Sequence, residues 1–149
     1  AKVWDYIEIG KREATLATGG VPYTDEVRSK GAYIPPTVFV DATPTCRIAR
    51  EEIFGPVVAI VPFDTEAEAM AVANDTTYGL SAGLFTRDLD RAWRVAKGLK
   101  AGQVYVNQWF SPGVLETPSH GYKQSGYGGV GIEKYQQSKN VFFRVSDPG

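Results

Sequence analysis

Between Val57 and Asn107 the chain alternates apolar, strand-like runs with helical ones, and this alternation restricts the fold more than any other feature. Val57 to Phe63 is a nearly continuous apolar run, which predicts a strand buried on both faces. Thr65-Glu66-Ala67-Glu68 has the form of a capping box and predicts a helix running to about Asn74. Thr77-Tyr78-Gly79-Leu80 turns the chain, with Gly79 free to take a positive φ. Leu80 to Phe85 predicts the next strand, its small residues permitting close packing. Asp88 is placed to cap a helix whose apolar stripe is Leu89, Ala92, Trp93, Ala96 and Leu99, with Gly102 marking its end. Gln103 to Asn107 predicts a further strand. Strand, helix, strand, helix, strand with short links is the pattern of parallel βαβ units, an α/β fold with helices on the faces of one mostly parallel sheet.

The first third of the chain is less regular. Val3, Tyr6, Ile7, Gly10 and Ala14 recur at helical spacing, which predicts a helix to about Ala14. A short strand to Thr18 follows, stopped by Gly19-Gly20, and then a polar loop from Val21 to Gly31. Tyr33 to Val40 is extended, and its paired prolines rule out a central strand over its first half, which predicts an edge or an irregular approach. Asp41 to Arg50 reads as loop. The chain begins with Ala, and no N-cap residue precedes its first helix, so the expectation is a piece of a longer protein.

A length of 149 residues suits one domain with a useful core, and 43% apolar with 22% charged residues is ordinary for a soluble globular protein. A net charge of −1 without a basic run argues against nucleic acid and acidic membrane surfaces as partners. No apolar stretch reaches the length of a membrane span, and no signal peptide is visible. A single Cys excludes a disulfide framework within these residues, and a cytoplasmic setting is the expectation.

Arg50-Glu51-Glu52-Ile53-Phe54-Gly55-Pro56-Val57 puts adjacent acids at a Gly-Pro corner just before a strand. A rigid corner of this kind can hold a carboxylate still while it accepts hydrogen bonds from a ligand. Read locally, Glu51 and Glu52 are also two ordinary solvated loop acids. Glu-Glu-Ile-Phe-Gly-Pro-Val, however, resembles a motif of the aldehyde dehydrogenase superfamily. Asn-Asp-Thr-Thr-Tyr-Gly-Leu-Ser-Ala-Gly-Leu-Phe-Thr and Ala-Gly-Gln-Val-Tyr-Val-Asn resemble its catalytic domain in order and spacing. Pro118 to Gly126 resembles its Pro-Phe-Gly-Gly-Tyr-Lys-x-Ser-Gly, with Ser119 in place of Phe and His120 in place of Gly.

The resemblance implies the C-terminal part of an NAD(P)-dependent aldehyde dehydrogenase, which oxidises an aldehyde to a carboxylate. Residues 1–123 would belong to the catalytic domain. Residues 124–149 would form a Gly-rich turn, a short helix and a protruding oligomerisation strand. Glu52 would accept hydrogen bonds from both hydroxyls of the nicotinamide ribose of NAD or NADP, which suits an acceptor-only carboxylate. Phe54 would pack near the nicotinamide. The family's mechanism is thiolate attack, hydride transfer to the cofactor and hydrolysis of a thioester. Its nucleophilic Cys, general-base Glu and phosphate-binding domain lie upstream, so these residues alone are expected to be inactive.

Cys46, the only thiol, is not preceded by Gly-Gln as the family's nucleophile is. It stands where the family commonly carries an apolar residue, so a half-buried packing Cys is expected. Trp109, Phe110, Val114 and Leu115 lie on a loop after a parallel strand, where side chains either line a pocket or pack beneath the loop itself. The resemblance favours the wall of an aldehyde tunnel. His120 is either a proton carrier or a surface histidine, with the surface reading preferred. Lys123 is expected to be structural, although some relatives bind a monovalent cation near this loop. No metal ligand set is expected.

Two readings from other classes remain. Gly126, Gly128 and Gly131 match G-x-G-x-x-G, with a helix over Ile132 to Gln137 to follow, but a dinucleotide fingerprint needs an apolar strand immediately before its first Gly. Here only Tyr122-Lys123-Gln124-Ser125 precedes it, and Gly129-Val130 stands where the family commonly has Arg-Glu. The run Asn140 to Val145 is apolar and β-prone with little chain left to pair with, which invites a partner. In the family the matching strand crosses to a neighbouring subunit, implying a homodimer or homotetramer through Val141, Phe142, Phe143 and Val145. A non-catalytic interaction domain would use the same strand.

Overall fold

The computed structural model describes residues 2–109, 120–126 and 135–144. The chain forms two compact units, residues 1–64 and 65–149. Each holds a three-stranded sheet, so the single sheet expected from the sequence is divided.

In the first unit, α1 (Lys2–Glu13) runs into β1 (Thr15–Thr18). Gly19 and Gly20 stop that strand at φ 76 and 73, and a Cβ on Gly19 would come within 2.2 Å of the Pro36 carbonyl oxygen. β2 (Thr37–Val40) pairs antiparallel with β1 and parallel with β3 (Val57–Ala59). It is therefore the central strand of this sheet, not an edge. The prolines at 35 and 36 precede the ladder, and the first strand residue, Thr37, already donates its N–H to Pro56, at 2.8 Å.

β3 is shorter than the predicted run and lies at the sheet edge; Val58 is 55% exposed, so it is not buried on both faces. A continuous apolar run does not distinguish a central strand from an edge strand. The loop predicted over 41–50 contains one helical turn, α2 (Arg47–Arg50), too short to show a period. Ile7, Phe39, Ala42, Cys46, Ile48 and Ile53 form the core of this unit. Gly10 lies against the Phe39 ring, which lets α1 approach β2 closely.

In the second unit, α3 (Glu66–Asn74) begins where expected, with the Thr65 hydroxyl accepting from the Glu68 N–H at 3.1 Å. β4 (Ser81–Leu84), α4 (Leu89–Gly98) and β5 (Gln103–Val106) form a parallel βαβ unit. Asp88 caps α4 by accepting from the Arg91 N–H at 2.9 Å. Ala92, Ala96 and Leu99 are buried as expected, while Leu89 and Trp93 stay largely exposed at the rim.

Two glycines act differently from expectation. Gly79 does not take a positive φ; a Cβ there would lie 2.7 Å from the Lys100 carbonyl oxygen. Gly102 does not end α4, which stops at Gly98; a Cβ on Gly102 would collide with the His120 carbonyl. Both permit close backbone approach, and a linear sequence shows no such neighbour.

β6 (Asn140–Phe143) is not a free protruding strand, because it pairs parallel with β5, Val106 opposite Phe143. β5 otherwise offers an unpaired edge, and docking β6 satisfies its backbone groups within the chain. Alternate side chains divide between the faces. Ala82, Leu84, Val104, Val106, Val141 and Phe143 pack with α4, while Tyr105 and Phe142 stack on the other face with centroids 5.3 Å apart. Distant lysines cap both helices: Lys123 Nζ donates to the carbonyls of Asn74 and Thr76, and Lys139 Nζ to those of Ala96, Lys97 and Leu99. Among the described residues, no helix is long and apolar enough to cross a membrane.

Candidate functional site

The two adjacent acids of the Gly-Pro corner have different surroundings. Arg47 and Glu51 stand four residues apart, so α2 brings them onto one face. Arg47 Nε donates to Glu51 Oε1 and Nη2 to Oε2, both at 2.9 Å, and the Tyr6 hydroxyl donates to Oε2 at 2.6 Å. These bonds, Arg47 first and then Tyr6, hold the Glu51 carboxyl down at about 2. The same contact raises the Tyr6 hydroxyl above its usual range.

Glu52 is exposed, and its carboxylate has no partner among the described residues. Only its backbone carbonyl is held, by Lys2 Nζ at 3.0 Å. Ile53 is buried in the core and anchors the corner. Phe54 follows at φ 58 with 84% of its surface exposed. A left-handed phenylalanine costs about 1–2 kcal/mol, and here it holds an aromatic ring out of the core, beside the acid. Gly55 rests against Val3 of α1, and the Val57 N–H donates back to the Gly55 carbonyl at 2.8 Å. The corner is thus braced by α1, α2 and the start of the sheet.

A second corner follows β5 in the other unit. Asn107 takes φ 58, its N–H donates to the Leu84 carbonyl at 2.8 Å, and its Oδ1 accepts from the Thr86 N–H at 2.8 Å. The turns after β4 and β5 are thereby joined. The chain reverses and lays the Trp109 indole over Gly83, whose Cβ would stand 3.1 Å from two ring carbons. Trp109 lies on the Tyr105 face, with ring centroids 6.3 Å apart, and is 68% exposed. A cleft of about 920 Å³ opens on the opposite, α4-covered face, between Leu89, Ala92, Val106 and Phe143. Trp109 does not line it.

Of the residues singled out in the sequence, Glu52 and Phe54 share one corner and Trp109 stands on the other. Phe110, Val114, Leu115, Val145, Gly128 and Gly131 lie outside the described residues. Gly126 is preceded by a single 3-10 turn, Lys123–Ser125, where a dinucleotide fingerprint needs a strand, and Gln136 and Gln137 are not helical. Cys46 is buried rather than half-buried; its Sγ contacts the Thr43 hydroxyl and the Glu13 carbonyl. His120 is exposed.

The model of the aldehyde dehydrogenase family matches residues 1–141. The chain belongs to the aldehyde dehydrogenase family. A betaine aldehyde dehydrogenase from Agrobacterium fabrum is 49% identical over 148 residues, covering 95% of this chain and 29% of the relative. The gamma-glutamyl-gamma-aminobutyraldehyde dehydrogenase of Burkholderia cenocepacia has a similar structure, with TM-score 0.78 and 46% identity over 85% of this chain and 25% of that one. An aldehyde dehydrogenase of Mycobacterium tuberculosis solved with NAD+ gives TM-score 0.76 and 41% identity over 85% of this chain and 26% of that one. This aldehyde dehydrogenase chain therefore spans under a third of the length of these relatives.

The sequence reading missed Lys2, Tyr6 and Arg47 as parts of the corner. The four-residue spacing of Arg47 and Glu51 was a usable signal. Tyr6, 45 residues from Glu51, gave none.

Proposed function

We propose that the native-length protein carrying this chain oxidises an aldehyde to a carboxylic acid, with NAD or NADP as hydride acceptor. The observation that carries this reading is Glu52, an exposed carboxylate without a partner among the described residues, on a braced corner beside an outward-held phenylalanine. A bound nicotinamide supplies the hydride-accepting ring. The chain's own part is binding: two carboxylate oxygens accept from the paired hydroxyls of a ribose, and the Phe54 ring covers a flat heteroaromatic. Trp109, with Phe110, Val114 and Leu115, forms one wall of the aldehyde pocket. The nucleophile comes from outside these 149 residues, since the one thiol, Cys46, is buried in the core, and family membership puts the general base upstream as well. The 149 residues alone have no dehydrogenase activity.

The exposed indole of Trp109 favours a quaternary-ammonium aldehyde, because an aromatic face attracts a cation. The names of similarly related proteins span different aldehydes, so identity alone does not choose. Copies associate through the 141–145 segment. Val141, Phe142 and Phe143 are committed inside the chain, so it is the outer backbone edge of β6, unpaired among the described residues, that receives a partner strand.

The deciding experiment is Glu52→Ala in the native-length protein. Losing charge-assisted hydrogen bonds should raise the cofactor KM about ten- to a hundredfold, with little change in aldehyde KM. An unchanged cofactor KM removes the reading. Trp109→Ala should weaken betaine aldehyde more than a neutral aldehyde of similar size; equal losses remove the cationic preference.

A further inference from the structure

We propose that Tyr6 and Arg47, acting through Glu51, are positioning residues for Glu52 and Phe54. The inference rests on Glu52 being the cofactor-binding acid, and it concerns three residues that touch no ligand themselves. Glu51 has an extended backbone, φ −105 and ψ 145. Three hydrogen bonds draw the Glu51 carboxylate onto the face made by α1 and α2. Glu52, the next residue, is exposed to solvent, and its carboxylate has no competing partner among the described residues.

Charge adds to geometry. Two carboxylates on consecutive residues repel each other, and the Arg47 guanidinium neutralises the one that is not needed. The Glu52 carboxylate oxygens are left to accept from a diol. The ion pair itself is too exposed to matter much for folding, at 54% and 40% of the two side chains. A network that contributes little to stability but fixes a backbone next to a binding group acts on affinity, by removing the ordering cost that a loose corner would bring to binding.

The test uses the native-length protein, with cofactor KM, aldehyde KM and Tm read for Glu51→Ala, Glu51→Gln, Arg47→Ala and Tyr6→Phe, and Glu52→Ala as reference. Glu51→Ala and Arg47→Ala should raise the cofactor KM about three- to tenfold, leaving aldehyde KM and Tm near their original values. Glu51→Gln keeps an oxygen for the Tyr6 hydroxyl and should recover part of the loss. Tyr6→Phe should give the smallest rise. If Glu52→Ala raises the cofactor KM and Glu51→Ala does not, positioning is overturned while the ribose reading stands. If Glu51→Ala lowers Tm and raises both KM values together, the network is merely structural and the proposal fails. If Glu52→Ala itself leaves the cofactor KM unchanged, the reading beneath the proposal is what has failed.

Discussion

The corner before β3 and the corner after β5 each turn on a non-glycine residue at φ 58, Phe54 in one and Asn107 in the other. They are held in place by different means. Around Phe54 the restraints are charged and lie on side chains: Arg47 and Tyr6 on Glu51, and Lys2 on a carbonyl. Around Asn107 the restraint is neutral and lies in the turning residue itself, whose amide oxygen takes the Thr86 N–H. Asparagine tolerates the left-handed region and phenylalanine does not. The first corner therefore stores strain and needs external bracing, whereas the second is close to a self-sufficient turn. The strained corner is the one that exposes an acid unpaired among the described residues. Strain at an exposed side chain is a sign of function when the surroundings over-determine it.

Substitutions can break this contrast. The largest effect is expected at Glu52, where alanine should cost about ten- to a hundredfold in cofactor KM in the native-length protein; no substitution at the Asn107 corner should approach that on the same parameter. Next is Asn107→Ala, which strains the turn and leaves the Thr86 N–H without its acceptor. Urea unfolding should show a loss of about 1–3 kcal/mol, and Asn107→Gly should recover the strain part of it. Phe54→Gly should do the reverse, gaining about 0.5–1 kcal/mol in stability while weakening cofactor binding. If Phe54→Gly destabilises, the corner is not strained and the comparison fails.

Gly83→Ala should have a smaller effect. Its new Cβ presses on Trp109 at 3.1 Å, so the indole must shift by a few tenths of an ångström. Aldehyde KM should change a few-fold and cofactor KM should not.

The smallest effect is the pH response. Glu51 has its folded pKa lowered to about 2 by Arg47 and Tyr6. Its contribution is complete above the ordinary carboxylate range and disappears as pH falls from there through about 2. Phe54 should then loosen in acid more than Trp109, whose turn is held by the neutral Asn107 amide. Side-chain NMR signals of Phe54 and Trp109 followed down to pH 2 would separate the two. Equal loosening at both corners would mean global acid unfolding rather than a local event.

Much of the second unit was legible in the sequence because its signals are local. The Thr65 and Asp88 caps, the α4 stripe and the parallel strands each follow from residues a few positions apart. Only the motif singles out Glu52 in the sequence, and the four-residue spacing of Arg47 and Glu51 is the one local signal that separates the two acids. In the folded chain the difference between them is made by Arg47 and by Tyr6, brought in from α1. Gly79 and Gly102 were recognised as special for the wrong reason, since the atoms that crowd them belong to Lys100 and His120.

By itself the sequence determined the βαβ unit and helix caps of the second unit and, through its motifs, the family. These depend on hydrogen bonds and apolar spacing within a few residues, which a chain carries with it before it folds. Tertiary structure decided which strand is central, where β6 docks, and that the Glu51 carboxylate is held by both α1 and α2. Those outcomes depend on which distant backbone edges and charges meet, and only the folded chain brings them within hydrogen-bonding distance.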